Sequence, residues 1–233
     1  MIPSPSCAQR PASGASCGCI ALILHQFAES LGKAIDAKDH HTWRHSDEVA
    51  DLARELALLQ GATPFEADLI HLAGHLHDIG KIGVSDALLR KTGPLSVAEW
   101  SELRRHPAIG AQIVRPVRPL AEAGVVEMIL HHHERFDGKG YPSGLMGAAI
   151  PFGARVIALA DSVSAMLQDR PYRPARTFER VVDEIRLCAG SQFDPILANV
   201  FVRNADRFLE LRHGLPPEKE SALPAVLETA LAV

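Results

Sequence analysis

The sequence predicts an all-α fold, and three observations support that class. Apolar residues recur at helical spacing in several stretches, and sequences typical of helix caps precede some of them. No stretch of useful length alternates apolar and polar residues as a half-buried strand does. The 233 residues can bury a sizeable core, and we divide them into a tail (1–19), a folded domain (20–213) and a second tail (214–233).

The first tail is predicted to be flexible because residues 1–19 are rich in Pro, Ser, Gly and Cys and lack periodicity. An amphipathic helix is predicted before Gly61, which is placed to end it. Its apolar stripe consists of Val49, Leu52, Ala53, Leu56 and Leu59. The next helix is predicted to begin after Thr63, because Thr63 and Glu66 form a capping box and Pro64 occupies the first helical position.

Ser96 and Glu99 form a second capping box and predict another helix. Residues 137–151 are dense in glycine and proline, which is typical of an ordered loop between helices. A second apolar stripe, at residues 156–167, predicts the helix that follows this loop. Asp194-Pro195 is a helix-capping sequence, and prolines among Glu and Ala leave room for one weak helix in the second tail.

The composition excludes several classes of protein. Hydrophobic residues make up 47% of the chain and charged residues 22%, as in ordinary soluble domains, and the net charge of −4 argues against a duplex nucleic acid partner. No apolar run approaches the ~20 residues of a membrane span, and no basic segment precedes the short run at Ile20–Leu24. The four cysteines contain no CxxC pair and are interpreted as reduced thiols, so we expect a cytoplasmic protein.

The twelve histidines are concentrated where helices are predicted to meet. His77-Asp78 closes an apolar helix, His106 precedes Pro107, residues 131–133 are three histidines, and Asp161 lies within an apolar stripe. These candidates recur roughly thirty residues apart, as when successive helices deliver ligands into one interior site. A buried carboxylate costs several kcal/mol or more unless it is paired or bound to a metal. The pattern therefore predicts a metal site. The remaining histidines are interpreted as hydrogen-bonded core or surface residues: His25, His40, His71, His75 and His213.

Two of these segments resemble the signatures of a known family. His77-Asp78-Ile79-Gly80-Lys81 resembles the HDxGK signature of the HD phosphohydrolase superfamily. Residues 132–142, HHERFDGKGYP, resemble the HHExxDGxGYP signature of its HD-GYP branch. The similarity covers about residues 35–200. It implies an HD-domain helical bundle with additional C-terminal helices and a glycine-rich GYP loop over the cleft.

The resemblance also implies a set of seven metal ligands. They are His45, His77, Asp78, His106, His132, His133 and Asp161. Seven ligands exceed the six positions of one octahedral ion, so at least two ions follow if all seven bind. Imidazole and carboxylate ligands without thiolate suit two divalent ions of iron or manganese better than a structural zinc. Asp78 would then bridge the two ions.

On the substrate side, the resemblance assigns Lys81 as a clamp for one phosphate and Arg170 and Arg173 as clamps for the other. The glycines around Gly140 allow close approach of a ligand, and Tyr141 offers a ring that could stack on a base. In the family this loop is also implicated in contacts with diguanylate cyclase (GGDEF) domains. The loop is therefore a candidate surface for both substrate and partner.

The function implied is hydrolysis of cyclic di-GMP to pGpG, with a second step to GMP left open. In the expected mechanism a hydroxide bridging the two ions attacks phosphorus in line, while Asp78 and Lys81 serve as catalytic residues. The general acid for the leaving oxygen is not identified. Two alternatives remain open: a catalytically weak binding or scaffold module that contacts diguanylate cyclase proteins, and an HD phosphohydrolase acting on another nucleotide.

Four positions depart from the family pattern. His40-His41 stands where the family usually has a Pro-Tyr pair, and His41 is a candidate ligand for a third metal ion. Glu48 replaces a usual arginine, and Ser164 replaces a usual aspartate one turn after Asp161. The last two changes are expected to alter the support of the metal ligands.

Overall fold

The structure is a computed structural model that describes residues 14–39, 44–169 and 174–214. Within these ranges the chain forms twelve α-helices and two short 3-10 helices, and no β-strand beyond one isolated bridge between Ala189 and Phe193. The predicted all-α class is confirmed. None of the helices in this part of the chain is long and apolar enough to span a bilayer.

The helices follow one another with short connections. They are α1 (Gly14–Lys38), α2 (His45–Leu59), α3 (Pro64–Leu76), α4 (Asp86–Leu89), α5 (Val97–Leu103), α6 (His106–Val114), α7 (Arg118–Glu122), α8 (Val125–His131), α9 (Phe152–Leu167), α10 (Phe178–Leu187), α11 (Pro195–Arg203) and α12 (Ala205–Gly214). The 3-10 helices are Ile79–Gly83, directly after α3, and Gly147–Ala149, before α9.

The predicted caps are present. The Thr63 hydroxyl accepts a hydrogen bond from the Glu66 amide, and the Glu66 carboxylate accepts one from the Thr63 amide, which together begin α3. Ser96 and Glu99 make the same reciprocal pair at the start of α5. At α11 the Asp194 carboxylate accepts the amide hydrogen of Ile196 at 2.8 Å. Local sequence therefore determines where these three helices begin.

The core lies between α2, α3, α8 and α9. Helix α2 packs against both α3 and α9, and α8 packs against α3, α6 and α9. The apolar stripe predicted for α2 is buried except for Leu59, which is partly buried, and Ile70 of α3, Ile129 of α8 and Val163 of α9 are buried as well. The C-terminal helices α10, α11 and α12 add a further layer, in which the rings of Phe201 and Phe208 lie 4.9 Å apart. The additional C-terminal helices expected from the resemblance are thus present.

The chain termini bear on the predicted domain boundaries. Helix α1 begins at Gly14, inside the range predicted as a tail, and its later residues pack against α2 and α3. Helix α12 ends at Gly214, and residues 215–233 lie outside the described part of the chain, as do residues 1–13. The division at residues 20 and 213 stays a prediction.

Candidate metal centre

The ends of four helices converge on one interior region. His45 is the first residue of α2, His77 follows α3, His106 is the first residue of α6, and His132 follows α8. All four side chains are buried, although imidazole is a polar group. Asp161 reaches the same region from the middle of α9. The helical arrangement therefore gathers side chains that are far apart in the sequence.

The ligand atoms form two groups that share one carboxylate. In the first group, ligand atoms of Asp78, His106, His132 and His133 all lie within 4.8 Å of one another. The second group has the same property and consists of His45, His77 and Asp78. Asp78 Oδ1 lies 3.2 Å from His106 Nε2, whereas Oδ2 lies 3.3 Å from His77 Nε2. The two oxygens of one carboxylate thus face two different groups, as a bridging ligand requires.

Hydrogen bonds hold three of the histidines in one tautomer. Nδ1 of His77, His106 and His132 lies 2.6–2.7 Å from the carbonyl oxygen three residues earlier, so Nδ1 carries the proton and donates it. The other ring nitrogen, Nε2, is left as a lone-pair donor facing the centre. Nε2 of His77 is buried and has no hydrogen-bond partner, which a bound cation would correct. This donor set fits divalent metal ions.

Gly80 explains how α6 approaches this region so closely. A Cβ atom at Gly80 would lie 1.9 Å from the carbonyl oxygen of His106 and 2.5 Å from the amide nitrogen of Gly110. Only glycine allows the 3-10 helix to pack at this distance against the start of α6. The glycine of the HDxGK segment therefore brings His106 next to Asp78.

Asp161 completes the set of seven predicted ligands. Its Oδ1 lies 3.1 Å from Nε2 of His45, and its carboxylate lines the same cleft as Asp78, His106 and His133. The structure therefore places all seven side chains around one centre. Their role as metal ligands stays a prediction.

Charges in the centre shift several pKa values. Burial opposes ionisation of Asp78, yet the nearby charges of Lys81 and His77 hold its pKa well below the usual value. Burial lowers the pKa of His77, but Asp78 and Asp161 outweigh it and raise that pKa to about 9 in the metal-free protein. A cation would therefore have to displace a proton from Nε2 of His77. Burial, together with His106, lowers the pKa of His133 to about 3. His133 is therefore neutral at pH 7, which is the form that binds metals.

Lys81 lies beside Asp78 as predicted, but it also has a partner that the sequence did not suggest. Its Nζ lies 2.8 Å from Asp78 Oδ2 and 2.5 Å from Asp39 Oδ2. Burial opposes its charge, but the two carboxylates raise the pKa of Lys81 above its ordinary value. Asp39 follows α1 directly and is separated from Lys81 by two helices, so no sequence spacing marked the pair.

A cleft of about 880 Å³ opens over the centre. This volume falls within the ~300–1,000 Å³ that is usual for small-molecule sites. Its walls include Lys81, Trp100 of α5 and Arg104, which directly follows α5. Tyr141, from the segment at residues 137–151, forms part of the same wall. The guanidinium carbon of Arg104 lies 5.2 Å from the centre of the Tyr141 ring, and that ring lies 4.9 Å from the His133 ring. Arg104 was not predicted as a site residue.

The glycine-rich loop, residues 137–151, is held by hydrogen bonds to a buried carboxylate. Glu134 is 3% exposed, and its two carboxylate oxygens accept the amide hydrogens of Ser143 and Leu145 at 2.6 and 3.1 Å. Gly140 lies against the preceding turn, where a Cβ atom would be 2.3 Å from the Arg135 amide nitrogen. Gly140 therefore packs closely against the backbone of residues 134–135. This contact places the next residue, Tyr141, in the wall of the cleft.

The two departures Glu48 and Ser164 contact each other behind His45. Nδ1 of His45 lies 3.0 Å from the Ser164 hydroxyl, which donates to Glu48 Oε2 at 2.5 Å. Arg212 of α12 donates to the other oxygen of Glu48 at 2.9 Å. A guanidinium group therefore lies beside residue 48, where the family usually has an arginine, although here it comes from α12. Together these residues hold the His45 ring with Nε2 facing Asp161.

Three predicted residues lie outside the described part of the chain. They are His41, Arg170 and Arg173. The third metal site and the second phosphate clamp stay predictions.

Comparisons with known proteins agree with this fold. A family model described as "HD domain" matches residues 29–197. The chain is 34% identical over 191 residues to a 3'3'-cGAMP-specific phosphodiesterase 2 of Vibrio cholerae, covering 82% of this chain and 37% of that protein. It is 35% identical over 182 residues to a cyclic di-GMP phosphodiesterase of Thermotoga maritima, covering 78% and 49%. The chain thus spans between about a third and a half of these relatives.

A solved structure shares the fold. The crystal structure of a cyclic GMP-AMP specific phosphodiesterase of Vibrio cholerae, V-cGAP3, superposes with a TM-score of 0.64 at 21% identity. The match covers 83% of this chain and 54% of that chain. At this identity the likeness establishes the fold alone.

Proposed function

The chain belongs to the HD domain family, in its HD-GYP branch, and from this premise we propose that it is a metal-dependent phosphodiesterase acting on cyclic dinucleotides. The observation that carries the proposal is the pair of ligand groups that share Asp78 at the floor of the cleft. Two adjacent divalent ions are a recurrent device for phosphodiester hydrolysis. Relatives named as phosphodiesterases at about 35% identity support the same reaction.

The substrate that we propose first is cyclic di-GMP. The Thermotoga maritima relative is named for this substrate, and residues 132–142 resemble the HD-GYP signature. A second candidate is 3'3'-cGAMP, because the Vibrio cholerae relative named for it has nearly the same identity, 34% against 35%. Both molecules carry two phosphodiesters and at least one guanine, so one site could recognise either.

The seven clustered side chains would hold two divalent ions, and iron or manganese suits this donor set. They are His45, His77, Asp78, His106, His132, His133 and Asp161. Bound ions supply Lewis acidity and lower the pKa of a water molecule towards neutrality. Asp78 holds the two groups at a fixed separation because one of its oxygens faces each of them.

The protein's own side chains bind and orient the diester. Lys81 keeps its proton at neutral pH, since Asp78 and Asp39 raise its pKa, and it can therefore donate to a phosphate oxygen. Arg104 and Tyr141 form one wall of the cleft, where a guanidinium and a phenol ring can contact phosphate and base. Arg170 and Arg173 remain the proposed clamp for the second phosphate.

Hydrolysis adds one water across a P–O3' bond of the ring and yields linear pGpG from cyclic di-GMP. Burial raises the pKa of the Tyr141 hydroxyl, so it stays protonated and can donate a hydrogen bond within the cleft. A second hydrolysis would produce GMP.

We place this reaction in the cytoplasm, where the reduced cysteines predicted from the sequence would be stable.

The same loop could serve a partner instead of a substrate. The competing proposal is a scaffold that keeps the cleft and contacts diguanylate cyclase (GGDEF) proteins through residues 137–151. The observation in its favour is that this loop is held by hydrogen bonds to the protein's own Glu134. Tight nucleotide binding without turnover would distinguish this function from an enzyme.

The test is product formation by anaerobically purified protein loaded separately with iron and manganese. Cyclic di-GMP and 3'3'-cGAMP are supplied in parallel, and Asp78→Ala serves as the control. We expect linear product from the wild-type chain and a loss of at least about 100-fold in the variant, because one change removes a ligand from both groups. Protein that retains two ions but forms no product from either nucleotide would overturn the proposal.

A further inference from the structure

Three histidines form a second cluster on the far side of α3. His71 and His75 lie one turn apart on α3, and His25 reaches them from α1. The His71 and His75 ring centres are 4.7 Å apart, and the His25 ring lies 4.8 Å from His71 and 5.7 Å from His75. His75 and His77 are two positions apart and so point about 200° apart around the helix. The cluster is therefore separate from the centre that contains His77.

The three histidines are close enough to hold one metal ion, once the His25 ring turns out of its parallel stack on the His71 ring, in which the ring planes differ by 3°. One ring nitrogen from each histidine can be chosen such that all three lie within 4.8 Å of one another. Two histidines at positions i and i+4 of a helix are a recurrent pair of zinc ligands. His71 and His75 are 9% and 4% exposed, whereas His25 is half-buried and leaves a route from solvent.

Carboxylates from α2 stand behind both α3 histidines. Nε2 of His71 is hydrogen-bonded to Asp51 Oδ1 at 3.0 Å. Nδ1 of His75 lies 3.4 Å from Asp47 Oδ1 but makes no hydrogen bond with it. In metal sites, a carboxylate that accepts one ring N–H commonly fixes the tautomer and leaves the other nitrogen for the ion. Because Asp51 holds Nε2 of His71, Nδ1 is the nitrogen left for an ion, and it is buried and has no hydrogen-bond partner. Packing alone gives no reason for a buried ring nitrogen without a partner.

We propose that His25, His71 and His75 bind one divalent transition-metal ion of the zinc class and that this ion joins α1 to α3. Imidazole nitrogens suit zinc, copper and nickel, and a water molecule would complete a tetrahedron. Binding would draw the three nitrogens to about 3.4 Å apart, given Zn–N distances of about 2.0–2.1 Å. His25 is the half-buried member, so its ring has the most room to make this adjustment.

The inference is independent of the proposed reaction. Its ligands are distinct from the seven assigned to the centre around Asp78, since they lie on α1 and α3, whereas that centre takes residues from α2, α6 and α9 and from the segments that follow α3 and α8. The ion would act as a structural link that anchors α1 to the core.

The experiment counts zinc ions bound by the full chain after removal of metals and dialysis against Zn²⁺. The variants are the double substitution His25→Gln with His71→Gln, the matched control His213→Gln on the exposed face of α12, and Asp78→Ala. We expect the double variant to bind one ion fewer than the wild type and than His213→Gln. Asp78→Ala should lose ions from the other centre and keep this one.

Ions retained at the Asp78 centre show that the double variant is folded. A double variant that binds as many ions as the wild type would overturn the proposal. Two measurements do not depend on that variant. Asp51→Asn should weaken zinc binding at this cluster by about 10–100-fold, as for other carboxylates behind ligating histidines. Crystals of the wild-type chain grown with zinc should show anomalous density between the three rings, and the lack of such density would refute the site.

Discussion

At the scale of single residues, Ser164 and Glu48 illustrate how a departure from a family pattern can be compensated. Each looked like a loss of support for the metal ligands, yet in the structure they contact each other and hold His45. The Ser164 hydroxyl accepts a hydrogen bond from the His45 imidazole and donates one to the Glu48 carboxylate. Arg212 balances the charge of that carboxylate. The two substitutions therefore form one arrangement.

We expect Ser164→Ala to weaken binding of one metal ion by about 10–100-fold, because the His45 ring loses the group that orients it. The measurement is a titration of metal-free protein with Mn²⁺, beside Ser30→Ala, whose exposed hydroxyl donates to the Gln26 carbonyl within α1. Equal manganese affinity in Ser164→Ala and wild type would show that Ser164 does not support His45.

Residue-level prediction was strongest where residue type and sequence context both limited the choice. The pattern of histidines and acids indicated a metal site, and the seven candidate ligands could be named because the HDxGK and HD-GYP signatures imply them. Asp39 and Arg104 could not be named, because an acid after a helix and an arginine near a helix end are ordinary surface residues. Their roles depend on which helices meet. His25, His71 and His75 were dismissed singly for the same reason.

At the scale of elements, the loop at residues 137–151 is ordered by a few contacts to one side chain. Both oxygens of Glu134 are used, each by a different backbone amide. Gly140 allows the loop to lie against the turn that contains Arg135. The ordered loop predicted from its glycines and prolines is confirmed, but the sequence did not indicate that Glu134 holds it by hydrogen bonds.

Glu134→Gln should loosen this loop while leaving the metal ions in place. An amide offers one accepting oxygen, so the amide of either Ser143 or Leu145 loses its partner, at a local cost of about 1–3 kcal/mol. Faster hydrogen exchange in residues 137–151 and a higher KM, with unchanged ion content, are the expected results. Glu127→Gln, on an exposed face of α8, is the matched control. Unaltered exchange in the loop would contradict this role for Glu134.

At the scale of the whole molecule, the candidate centre acts as a connection between helices. Its ligands come from α2, α6 and α9 and from the segments that follow α3 and α8. An ion bound to the folded chain and not to the unfolded chain stabilises the fold by about 2.7 kcal/mol when its concentration is 100 times its Kd. The two proposed ions should therefore contribute measurably to stability.

We expect removal of metal by a chelator to lower the midpoint of thermal unfolding, and added Mn²⁺ to restore it. For a chain of this size, 2.7 kcal/mol corresponds to a shift of roughly 5–10 °C. The measurement is calorimetry with and without Mn²⁺, and Asp78→Ala should respond much less than the wild type. An equal manganese-dependent shift in both proteins would place the stabilising ions elsewhere.

The distance along the chain between neighbouring ligands has a consequence for the order of folding. His45 and Asp161 are in contact, but about half of the polypeptide separates them. Contacts of such long range form late, because a large loop must close before they are made. During synthesis the centre stays incomplete until α9 has emerged and docked on α2. A nascent chain would therefore be unable to take up the full set of proposed metal ions, and tight metal binding would indicate that the tertiary structure is already assembled.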